Sequence, residues 1–180
     1  MIKVLLVCDK PGWAYDAIAQ VLKKNAPADM TIDIFYKKSD QRLEKLCNDY
    51  DEVLYVGWSL AVSRQEPLIN RLTRKPCRFQ DYKLRSCYPA IAAKRTMAGI
   101  HAHHDWDERQ TTPDMDVMPP ANLLQILSRF KRVNTVSTRL YELFRKAGLD
   151  NVWCTLNGVD IQQFRPMRPL GTTKKLRVGY

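Results

Sequence analysis

Two kinds of apolar pattern alternate along the chain. Residues 2–8, IKVLLVC, form an unbroken apolar run rich in β-branched side chains and end at a polar turn, the signature of a strand buried on both faces. After DKPGW, the segment AYDAIAQVLKKN (14–25) places Ala14, Ile18, Ala19 and Leu22 at helical spacing. TIDIFY (31–36) alternates as a strand does. SDQRLEKLCNDY then opens on Ser39-Asp40, a helix-capping pair, and keeps Leu43, Leu46 and Cys47 on one face. EVLYVGW (52–58), RTMAGIHA (95–102), RVNTVS (132–137) and NVWCTL (151–156) predict four more strands. Two further helices separate the last three. ANLLQILSRF starts at Pro119-Pro120 with Leu123, Leu127 and Phe130 inward, and TRLYELFRKAG closes on Gly148. Residues 60–95 show no regular period.

Strand and helix alternating with short connections predict an α/β fold: a Rossmann-like, doubly wound parallel sheet with right-handed crossovers. In such sheets ligands bind beyond the carboxyl ends of the strands. Four stretches therefore belong at one crevice. They are Lys10, Gly12, Trp13 and Tyr15 after the first strand, Trp58 and Ser59 after the third, His101, His103 and His104 after the fourth, and Asn157-Gly158 after the last. Trp13 and Tyr15 offer flat faces for stacking, and Gly12 permits close backbone approach beside a helix N-terminus, where free N–H groups favour anions.

The expected domain spans 1–156. Residues 157–174 form a Pro/Gly/basic linker, and 175–180, ending LRVGY, open a fresh apolar run that reads as the first strand of a second domain. The apolar start is too short for a signal peptide, and no stretch approaches the roughly 20 apolar residues that span a bilayer. With five scattered cysteines and no C-x-x-C pair, reduced thiols and a cytoplasmic location are expected.

Charge narrows the partners. The net charge is +10, with much of the excess between Arg71 and Arg95. Such a balance favours an anionic partner, whether a phosphate-bearing substrate, an acidic lipid surface or nucleic acid. No nucleic-acid-binding motif accompanies it, so no specific nucleic-acid contact is expected.

All three histidines fall in GIHAHHDW (99–106). HAHHD satisfies H-x-H-x-D, half of a binuclear metal motif, but Trp106 stands where the next histidine belongs and no other histidine exists. A catalytic zinc usually takes three protein ligands. Asp114 and Asp116 form an Asp-x-Asp pair inside a Thr/Pro loop, the place of turn chemistry rather than of a metal ligand. No metal site is expected.

The stretch VNTVSTRLYELFRKAGLDNVWCTLNGVDIQQFRPMRP resembles the end of the N-terminal domain in group 1 (family 4) glycosyltransferases of the GT-B fold. Ser137, Asn157, Gly158, Val159, Asp160, Phe164 and Pro166 carry the likeness, and GIH at 99–101 looks like that family's Thr-x-His. The resemblance is strong over 132–180, moderate over 1–25 and 95–106, and weak over 60–95. KPGWAYD departs from the family's usual Gly-Gly loop.

The resemblance implies two Rossmann-like lobes facing a cleft, the N-terminal one shaping the acceptor site. It implies sugar transfer from a nucleotide-sugar donor to an acceptor hydroxyl with retention of configuration, no cofactor and no essential metal. His101 would be the catalytic residue, and Ser137 would line the cleft. The donor would bind mainly to a C-terminal lobe absent from these 180 residues, leaving this fragment catalytically incomplete. A lipid-linked or otherwise anionic acceptor, and peripheral contact with a membrane, fit the charge. The alternative expectation is a basic, non-catalytic module that binds nucleic acid or an acidic membrane surface.

Overall fold

Every backbone N–H and C=O in a buried strand needs a partner, and here the apolar runs supply them to one another as a parallel ladder. In the computed structural model, which describes residues 1–37, 47–73, 78–86, 95–102, 106 and 117–158, six strands form one sheet. In chain order the elements are β1 (Ile2–Cys8), α1 (Ala14–Lys24), β2 (Met30–Tyr36), β3 (Glu52–Tyr55), β4 (Val62–Gln65), α2 (Leu68–Thr73), β5 (Lys83–Ser86), β6 (Thr96–Ile100), α3 (Ala121–Leu127), β7 (Arg132–Thr135), α4 (Thr138–Lys146) and β8 (Val152–Cys154). The sheet order is β2-β1-β3-β6-β7-β8, all neighbours parallel, while β4 and β5 pair antiparallel as a separate hairpin. This is the expected α/β, Rossmann-like architecture.

Alternation sorts the side chains into two layers. Leu5, Val7, Val53, Tyr55, Ala98, Ile100, Val133 and Val152 share one face with Leu123, Ile126 and Leu127 of α3 and Leu140, Leu143 and Phe144 of α4. Val4, Leu6, Cys8, Ile32 and Val56 share the opposite face with Ala19 of α1. Ile18 lies against that second cluster, but Ala14 and Leu22, expected inward, are exposed. Cys47 is buried in the larger cluster, whereas Leu43 and Leu46 lie outside the described residues.

The helix ends follow their sequence signals. The Ser137 hydroxyl accepts the Leu140 N–H at 3.2 Å and so caps α4. Gly148 ends that helix at φ 88°, and the Leu149 N–H reaches back to the Phe144 carbonyl. Residues 60–95 hold more order than their pattern suggests: the β4–β5 hairpin and α2 project after β3. Asn122 on α3 clamps this excursion by donating from Nδ2 to the Phe79 and Tyr82 carbonyls at 3.1 and 2.8 Å. No described helix is long and apolar enough to cross a membrane.

Candidate functional site

The sheet grows outward from β1 on both sides, so the strand order reverses between β1 and β3, the point where doubly wound sheets hold ligands. Three connections meet there. Val56 and Gly57 leave β3, Tyr15 sits in the first turn of α1, and His101 follows β6. The His101 Nε2 lies 2.7 Å from the Val56 carbonyl oxygen. A carbonyl only accepts, so Nε2–H donates, and Nδ1 is left as the nitrogen able to accept. The Tyr15 ring stands 5.2 Å from the imidazole, centroid to centroid, at 47°.

Two glycines make this contact possible. A Cβ on Gly99 would stand 2.2 Å from the Val56 oxygen, and a Cβ on Gly57 would stand 2.5 Å from the Tyr15 ring. Both positions therefore require the missing side chain. Gly57 opens GWS, a stretch expected at the crevice, and Gly99 opens GIH; a glycine inside a buried strand run is itself a sign of close approach.

Beside His101 opens a cavity of about 490 Å³. Its walls are the flank of α1 (Ala17, Ile18, Val21, Leu22), Val56 at the end of β3, Gly99 on β6 and Asn134 on β7, and Val136 and Thr155 to Gly158 beyond β7 and β8. Most of this lining is apolar, with the imidazole and two asparagine amides as directional groups. That is the ordinary make-up of a small-molecule site. Asn157 and Gly158, expected both at the crevice and at the start of the linker, line this cavity.

The loop after β1 is held by a carboxylate. Asp16 accepts the Gly12 N–H at 2.7 Å, the Tyr36 hydroxyl at 2.7 Å and the Gln20 amide at 3.1 Å. The Gly12 N–H and the Tyr36 hydroxyl lower the Asp16 pKa. The Gly12 N–H itself is therefore engaged by Asp16. Lys10 lies with Nζ 3.2 Å from the Trp13 ring centroid, and that ring is 57% exposed. Asp9, not anticipated, has a buried Oδ1 with no hydrogen-bond partner among the described residues.

Other expected site residues fall elsewhere. Trp58, expected at the cleft, is core. A single 3-10 turn after Gly57 directs its indole inward, where it meets the edge of Phe79 at 6.0 Å. Ser59 is half-buried on the same turn. Ser137 spends its hydroxyl on the helix cap. His103, His104, Asp105, Asp114 and Asp116 lie outside the described residues. Trp106 is buried, donates Nε1–H to the Val117 carbonyl at 3.2 Å and meets Phe144 edge-on. Among the described residues no three His, Cys, Asp or Glu side chains converge as a metal site.

Set against known proteins, the chain matches no family model. No curated protein and no solved structure matches it either. The residues themselves therefore carry the functional argument.

Proposed function

We propose that this chain is the acceptor-side, N-terminal lobe of a retaining, metal-independent GT-B glycosyltransferase acting on a nucleotide-sugar donor. The observation that carries the proposal is the meeting of His101, Tyr15 and Gly57 at the strand-order reversal, beside a cavity of about 490 Å³. The motifs that resemble the family end at this same rim: GIH finishes at His101, and Asn157-Gly158 form part of the cavity wall.

In this reading the Val56 carbonyl fixes the imidazole tautomer through Nε2–H, and Nδ1 accepts a hydrogen bond from a sugar or acceptor hydroxyl. The apolar flank of α1 excludes water from one side. Transfer breaks the bond between the anomeric carbon and the diphosphate oxygen and joins that carbon to the acceptor oxygen. The acceptor proton leaves with the departing diphosphate. The diphosphate does not sit on Gly12, whose N–H is engaged by Asp16, so its charge falls to the donor-side lobe.

The test is the reaction. The natural full-length protein that carries these residues is incubated with uridine- and guanosine-diphosphate sugars, and release of nucleoside diphosphate is followed. Turnover that falls in His101→Ala while the Tm holds supports the assignment. Undiminished turnover removes His101 from it, and no release from any donor overturns the reading.

A further inference from the structure

Helix α2 buries none of its six residues, LINRLT: Asn70 is half-buried, and Leu68, Ile69 and Leu72 are exposed at 73%, 65% and 78%. Positions 68, 69 and 72 fall within one arc of a helix surface, so the three side chains form a continuous aliphatic ridge. Single exposed apolar residues are ordinary, but a helix that exposes all its large aliphatic side chains has left them for something else to cover.

The surroundings name the cover. Residues 60–95 carry nine basic side chains against two acidic ones. Of these, Arg71 lies on α2 itself. Lys83 and Arg85 alternate on β5 opposite Gln65 and Ser63 and are exposed. Arg64, on the hairpin's other face, is drawn over the Trp58 and Phe79 rings, at 5.6 and 4.9 Å from their centroids. That contact and the Asn122 clamp brace the excursion against the core.

We propose that α2 and the β4–β5 hairpin form a docking surface for an anionic lipid bilayer: Leu68, Ile69 and Leu72 enter the interface while Arg71, Lys83 and Arg85 meet acidic headgroups. Aliphatic insertion combined with basic side chains on the same excursion suits reversible interfacial binding. Nucleic acid would use the cations but gives three aliphatic side chains on a helix nothing to bury against along a phosphate backbone. The surface stands independently of the transferase reading.

The experiment is co-sedimentation of the chain with vesicles of phosphatidylcholine alone and of an equimolar mixture with phosphatidylglycerol. Binding is expected to the mixed vesicles and not to phosphatidylcholine. It should weaken about tenfold or more in Leu68→Ser/Leu72→Ser, with circular dichroism and Tm unchanged. Arg71→Gln/Lys83→Gln/Arg85→Gln should lose the response to phosphatidylglycerol. Equal binding by wild type and the serine variant overturns the proposal. So does binding to duplex DNA in place of vesicles, or a dimer in solution that the serine variant dissociates. If the serine variant unfolds, Leu72→Asn alone replaces it, and vesicle binding equal to wild type again overturns the proposal.

Discussion

Gly99 lies so close beneath Val56 that a Cβ on it would stand 2.2 Å from the Val56 carbonyl oxygen and 3.0 Å from His101 Nε2. The oxygen is backbone and cannot swing aside. Gly99→Ala is therefore expected to push β3 and β6 apart and to cost about 1–3 kcal/mol, the range of core overpacking. Thermal unfolding measures this. Gly57→Ala meets a tyrosine ring that can rotate away, and its cost is expected to be the smaller of the two.

Asp16 predicts an acid limb of stability. Hydrogen bonds from Gly12 and Tyr36 lower its pKa in the folded chain. Its contribution is thus present above the ordinary carboxyl value of about 3.9 and is lost as pH falls through the lower folded value. Denaturant midpoints recorded across that acid range should drop for the wild type. Asp16→Asn should start lower at neutral pH and lose part of that dependence.

Two thiols should be silent. Burial, with the charges of Asp16 and Asp9, pushes the Cys8 pKa up to about 12, and burial pushes Cys47 to about 11. For Cys8 the shift from 9.0 to about 12 lowers the thiolate fraction at neutral pH on the order of a thousandfold. Native alkylation should label Cys154, which is only half-buried, well before either. Early modification of Cys8 would show that the end of β1 opens in solution.

Asn122→Ala tests how the hairpin is held. Its amide serves the Phe79 and Tyr82 carbonyls, and truncation leaves both without that donor. A loss of about 1–3 kcal/mol is expected, together with faster amide exchange in β4 and β5 than in β6. Uniform exchange across the three strands would show that the clamp is not what holds the excursion.

The sheet was legible because strands covered on both faces must be written as continuous apolar runs, as in IKVLLVC and EVLYVG. Gly148 and Ser137 were legible as helix punctuation. The hairpin was not. Val62 and Leu84 are its inward aliphatic side chains, and a cation, Arg64, packs where a period-two reading expects an apolar residue. Trp58 misled for a related reason: a large aromatic after a strand end suits a cleft or a core equally, and one turn of 3-10 helix decides which. The engagement of Gly12 by Asp16 needed the distance between them. The convergence of the first and fourth strand loops followed from topology alone.

Strand order carries one more consequence. Once β1 has gained β2 on one side and β3 on the other, β6, β7 and β8 are each laid against the same growing margin. No strand has to be inserted between two already paired. A polypeptide emerging from the ribosome can thus build this sheet in the order of synthesis, with a single unfinished border advancing outward at every stage.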